Sequence, residues 1–366
     1  MKRSTRFLFY AFLVCLYSAC SNDADDTMDP VDPIISEELY FPPNGSSEWT
    51  STSIVALGWN ATAFNDLRSF LSTSNTQAFI VLVNGKIVIE EYFNGATSTT
   101  IIPWFSASKT LTAFTTGMAQ QDGILSINDR SSDYLGTGWT NMPIDKENDI
   151  TIKHQLTMSA GGDHTVGDTN CTDPACLNYL ADAGTAWYYY NAFYTMIQPV
   201  LDNAISGGFS NYFNTRLKNM IGMTGLWYQT PNYNKYYVGN ARSMARFGLL
   251  NLNKGNWNGT QLLNESFFNE MTNTSQDLNK SYGYLYWLNG KESYRVPGST
   301  DQFSGKLIPN APDDLFAGLG ANDKKMYIVP SLKMVVIRLG GDAGTSLLGP
   351  SSYDNALWGK ITAMIN

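Results

Sequence analysis

The sequence predicts an α+β fold, with an antiparallel sheet drawn from both ends of the chain, helices beside it, and a mainly helical region. Three observations carry this. Strand-like runs at 78–83 and 86–92 are joined by Asn84-Gly85, the dipeptide that best supplies a tight hairpin turn. Near the other end, Met326–Val329 and Met334–Leu339 flank Pro330-Ser331 as a second hairpin. Between the two pairs, residues 106–280 read mostly as helix and loop.

The elements follow in chain order. Residues 39–60 form a structured lead-in. Phe64, Leu67 and Leu71 mark one face of a helix over 61–73, and the first hairpin comes next. Leu111, Phe114 and Met118 continue a helical stripe after Ser106, and Gly123 marks a turn beyond it. An amphipathic segment, Tyr353–Ile365, closes the chain as a helix. The globular unit is placed at 39–366, with a sheet region at 60–105 and 291–366 and a helical region at 106–290.

Composition narrows the function. The chain has 366 residues, of which 43% are hydrophobic, enough for a large core. Charged residues are only 15% and aromatics reach 13%, the opposite of a disordered composition. Net charge is -8 and no basic stripe exists, which argues against nucleic-acid binding. The same charge opposes anionic bilayers, so membrane association needs an anchor.

The start supplies a candidate. Lys2, Arg3 and Arg6 precede a short apolar run, Phe7 to Leu16, too short to span a bilayer. Residues 1–19 therefore read as an export signal. Leu16 to Cys20 resembles the lipobox of bacterial lipoproteins, which implies Cys20 as a lipidated mature N-terminus. Residues 20–38 are acidic and proline-bearing, a tether with little to bury. The acidic run after the cysteine resembles surface-export signals of some Gram-negative lipoproteins, so an outer-membrane lipoprotein is expected, facing either way. Cys171 and Cys176 lie five apart in CTDPAC. Export favours a disulfide between them; free thiols and a metal site are the other readings. With only two histidines in the chain, no metal and no cofactor are expected.

The sharpest chemical signal is Ser106-Ala107-Ser108-Lys109, an S-x-x-K. Spacing i,i+3 puts Ser106 and Lys109 on one helical face. A serine hydroxyl needs an adjacent base to act as a nucleophile. A lysine amine can be that base if burial lowers its pKa. A helix N-terminus beside it would favour the alkoxide and the oxyanion. Tyr189-Tyr190-Asn191 supplies a Y-x-N further on.

These motifs, with Gly184-Thr185, Tyr194, TIKHQLTMSAGG, RLKNMIGMTG, MARFGLLNLNKGNWNG and YGYLYWLNG, resemble the β-lactamase-related serine hydrolases over roughly residues 60–366. That family includes class C β-lactamases, D-alanyl-D-alanine carboxypeptidases, family VIII esterases and 6-aminohexanoate-dimer hydrolases. The resemblance implies the β-lactamase/transpeptidase-like fold and an acyl-enzyme mechanism. Ser106 would be the nucleophile, Lys109 its base and Tyr189 the proton shuttle. Asn191 would orient Lys109 and donate to substrate. The third motif matches Gly318-Leu319-Gly320, where relatives carry K-T-G or H-x-G, so the cationic side chain is missing at Gly318. The oxyanion hole would use the N–H groups of Ser106 and Ala321. The missing cation moves the expected substrate away from carboxylate-bearing β-lactams toward a small ester, amide or short peptide with a less demanding acid group. Another cation, Arg295 or Lys306, is the alternative source of such a contact. His164, in GGDH, is a candidate substrate contact. Trp287 is a candidate pocket wall, with a core role equally open. His154 reads as structural. A monomer is expected, and the competing function is a binding lipoprotein on the same fold that has lost turnover.

Overall fold

A computed structural model describes residues 38–229, 231–343 and 349–366. The expected signal, the lipidation site Cys20 and nearly all of the tether lie outside these residues.

Asn84 and Gly85 both take positive φ, 50° and 78°, and close the hairpin between strands Thr76–Val83 and Lys86–Tyr92 with Val83 opposite Lys86. Two left-handed residues match the right-handed twist of the strands they join. Glycine is required there for a second reason. A Cβ on Gly85 would stand 1.9 Å from the Tyr40 carbonyl oxygen.

The main sheet runs Lys86–Tyr92, Thr76–Val83, Met334–Gly340, Lys324–Val329, Phe316–Gly320 and Trp287–Leu288, each antiparallel to its neighbour. The N-terminal hairpin thus adds to the C-terminal one through Thr76–Val83 and Met334–Gly340. Every residue of Met334–Gly340 and Lys324–Val329 is buried, as expected for central strands covered on both faces. Helices Ala61–Thr73 and Ser352–Ile365 pack on each other, and Ala241–Leu252 packs on the three longest central strands.

Two expectations change. The sheet does not begin again at 291, because its edge strand is Trp287–Leu288. The region expected to be mainly helical also contributes strands: Tyr236–Gly239 and Leu226–Tyr228 form a small antiparallel sheet with Ile102–Phe105 from the expected sheet region. Strands of two to four residues carry too few alternations to show a period in sequence. The partner of Ile102–Phe105 lies more than 120 positions further along the chain.

Cys171 and Cys176 are joined as a disulfide, with Cα atoms 6.0 Å apart. Asp173 caps the enclosed turn, and the Tyr190 hydroxyl donates to the Cys176 carbonyl at 3.2 Å. The loop is thereby tied to the Y-x-N segment. Non-reducing peptide mapping of protein from an oxidising compartment is expected to yield the cross-linked fragment. Two freely alkylatable thiols in unreduced material would rule the pairing out.

Candidate active site

Ser106 begins a 3-10 turn, Ser106–Ser108, that leads into the helix Lys109–Gln121. The residue before it, Phe105, has φ 47° and ψ -133°. That conformation costs a non-glycine residue about 1–3 kcal/mol. The turn is held from two sides. Ser108 Oγ donates to the Phe105 carbonyl, and the Tyr237 N–H donates to Ser108 Oγ at 3.1 Å. Phe105 itself is paired in the small sheet opposite Tyr237. The strained elbow turns the chain sharply from strand to helix, with half-buried Ser106 at the bend.

Lys109 Nζ lies 2.9 Å from Ser106 Oγ. The lysine is 1% exposed, in the first turn of a helix buried from Lys109 to Ala119. Its amine sits 4.1 Å from the centre of the Tyr194 ring and 5.0 Å from that of Tyr189. Two effects compete. Aromatic faces favour an ammonium by about 0.5–2 kcal/mol each. Full burial strips the ammonium of its hydration and favours the neutral amine. No carboxylate pairs with Lys109 among the described residues. Burial therefore wins, and it holds the amine well below the ordinary lysine range. A neutral amine 2.9 Å from a serine hydroxyl can accept its proton.

Tyr189 is buried, with its ring stacked on Trp287 at 5.7 Å and 23° and edge-on to Tyr282. Its hydroxyl makes no hydrogen bond. Burial pushes the phenol well above the ordinary tyrosine range, and the nearby Ser106 hydroxyl pulls the other way. Trp287 is 2% exposed, so it backs Tyr189 and packs in the core.

Asn191 opens the helix Asn191–Thr195. Its Nδ2 donates to Asn170 Oδ1 at 2.7 Å and not to Lys109, while its own Oδ1 is buried without a hydrogen bond. Asn170 belongs to the loop beside the disulfide, a partnership that no local pattern announces.

The strand Phe316–Gly320 lies against the Ser106 turn. A Cβ on Gly320 would stand 2.5 Å from the Trp104 carbonyl oxygen and 2.9 Å from the Ala107 nitrogen. Only glycine lets the backbone approach so closely. Ala321 follows directly after this close approach. Gly318 faces the same way, and its Cβ would meet Thr110 Cγ2 at 3.0 Å and the Ala107 carbonyl at 3.2 Å. A side chain at 318 would enter packed protein beside the helix, so a lysine there could not be installed as a simple exchange.

His164 stacks on Tyr188 with ring centres 4.0 Å apart, in the wall of a cavity of about 230 Å³. Ser106, Lys109 and Tyr189 are thus brought together. Asn191 stands beside them with its amide turned to Asn170, and His164 lines a space behind the Tyr189 segment. His154 Nδ1 accepts from the Thr151 N–H in a capping box. Residues that sequence reasoning passed over are Phe105, Ser108 and Asn170. The contribution of Tyr194, a matched tyrosine in the sequence, is the face it lays against Lys109.

The antiparallel sheet with its flanking helices, and a strained strand-to-helix elbow carrying Ser106 against a glycine strand, make up a β-lactamase/transpeptidase-like fold. The Beta-lactamase family model matches residues 74–309, and the chain belongs to that family. Similar solved structures include a Bacillus anthracis protein assigned as a 6-aminohexanoate-dimer hydrolase, with 19% identity, 88% of each chain covered and a TM-score of 0.65. A penicillin-binding protein homologue from Caulobacter crescentus is 12% identical over 82% of this chain and 97% of its own, with a TM-score of 0.62. A family VIII carboxylesterase is 15% identical over 82% of this chain and 98% of its own, with a TM-score of 0.57. At these identities the likeness establishes the fold. No curated protein matches the sequence.

Proposed function

We propose that this protein is a serine hydrolase that cleaves an ester or amide bond through an acyl-enzyme. The single observation that carries the reading is the fully buried Lys109 amine, 2.9 Å from Ser106 Oγ, with no carboxylate among the described residues to hold it charged. Lys109 takes the Ser106 proton as Oγ attacks the carbonyl carbon. The tetrahedral oxyanion accepts hydrogen bonds from the Ser106 and Ala321 N–H groups, aided by the positive end of the helix. Collapse expels the alcohol or amine, which receives its proton by way of Tyr189. Water, deprotonated by the same pair, then attacks the acyl carbonyl and restores Ser106. Asn191 holds the 163–170 loop through Asn170 and has an unused Oδ1 for the lysine or the substrate. The shared fold of a family VIII carboxylesterase and of a protein assigned as a 6-aminohexanoate-dimer hydrolase is consistent with this reading. We further propose that the chain is exported and lipidated at Cys20, on the strength of the N-terminal sequence.

A fluorophosphonate probe is expected to add one mass adduct, located in the peptide containing Ser106. An adduct on another residue, or undiminished labelling of Ser106→Ala, would overturn the assignment.

A further inference from the structure

We infer that the cavity behind the Tyr189 segment binds a planar carboxylate ligand, with Arg295 as the recognising cation. The site goes beyond the hydrolase reading, since none of Ser106, Lys109 and Tyr189 lines the cavity. The cavity, about 230 Å³, is bordered by Trp187, Tyr188 and Tyr190, which bracket Tyr189 in the chain, and by Phe193, His164 and Arg295. His164 and Tyr188 are stacked 16° from parallel, a flat aromatic wall suited to a planar ligand. No aspartate or glutamate lines the space.

Arg295 is placed and left wanting. Its backbone N–H donates to Asn279 Oδ1 at 3.1 Å, and Nη1 donates to the Thr300 carbonyl at 2.7 Å. Its Nε is buried and has no hydrogen-bond partner, and no carboxylate pairs with it among the described residues. Buried polar groups are almost always satisfied, and an exception in a cavity wall invites an acceptor from a ligand. A carboxylate is the acceptor that a guanidinium fork recognises best. The other candidate cation, Lys306, is already paired with Asp313.

The test uses benzoate and its neutral analogue benzamide as probes, with binding measured calorimetrically on the wild-type protein and on Ser106→Ala. Benzoate is expected to bind both at least about tenfold more tightly than benzamide, through its charge-assisted contacts. Arg295→Gln is expected to erase the difference, and Arg295→Lys to keep part of it. Equal binding of the two probes to wild type, or a preference that survives Arg295→Gln, overturns the inference. The wild-type comparison stands even if that variant fails to fold. Competition through Tyr188→Leu places the site: unchanged benzoate affinity there also overturns it. Because binding is read on Ser106→Ala, failure here is distinct from failure of the hydrolase reading, which the fluorophosphonate adduct decides.

Discussion

Lys109→Met is expected to abolish most ester turnover while leaving the protein folded and at least as stable. Removing a positioned general base costs typically 10²–10⁴-fold in rate, so a kcat/KM loss of roughly 10³-fold is expected. Methionine fills nearly the same space without an amine to desolvate. The sign of the stability change follows from the lysine. Its folded pKa is depressed below the unfolded value near 10.4. Between those two values the unfolded chain binds the extra proton, so wild-type stability rises with pH across that window. Burial of the amine is thus a penalty at neutral pH that fades as pH approaches about 10.4. Lys109→Met removes the penalty, so its advantage in urea denaturation should be largest near neutrality and shrink at high pH. In the wild type, kcat/KM should climb as pH rises through the lowered lysine pKa. A Lys109→Met variant with undiminished kcat/KM would refute the base assignment. A large fall in stability would show that the amine is held charged.

Gly320→Ala is expected to damage the Ser106 turn directly. Its Cβ would sit 2.5 Å from the Trp104 carbonyl oxygen and 2.9 Å from the Ala107 nitrogen, both backbone atoms that cannot rotate away. The strand must retreat from the Ser106 turn, or the turn must move. Overpacking of this kind costs about 1–3 kcal/mol. A displacement of about 1 Å at the reacting centre can cost 10²-fold in rate. The expected outcome is a kcat loss of about 10²-fold with a smaller change in KM, because the oxyanion donors act on the transition state. Gly318→Ala, whose Cβ would meet its neighbours at 3.0–3.2 Å and first touches a threonine methyl, should be milder on both counts. Wild-type kinetics in Gly320→Ala would place the oxyanion hole elsewhere.

Much of the site was legible because its signals are local. Ser106 and Lys109 are three residues apart, and one helical turn suffices to bring them together. The Asn84-Gly85 hairpin needed only two residues of turn chemistry. The helix Ala61–Thr73 was read from three leucine and phenylalanine positions, and the structure gives the same limits. What was illegible depends on distant partners. Asn191 meets Asn170 across the disulfide loop, and Trp287 leaves the cleft wall to back Tyr189. The small sheet joins Ile102–Phe105 to strands more than a hundred residues on. The direction of Gly318 is set by the twist and register of a strand whose sequence, FAGLG, has no alternation to read.

By itself the sequence determined the α+β class, the two hairpins and the chemical groups of the S-x-x-K and Y-x-N motifs, since each is written within a few residues. Only the tertiary structure decided what state those groups occupy. Ser106 and Lys109 would be neighbours in any helix. Lys109 is fitted to act as the proposed base because the buried helix and the rings of Tyr189 and Tyr194, far along the chain, exclude water from its amine. Arg295 is likewise an ordinary surface residue in sequence, and becomes an unpaired donor only where the fold encloses its Nε. Desolvation is a property of everything packed around a group, and no short stretch of sequence contains it.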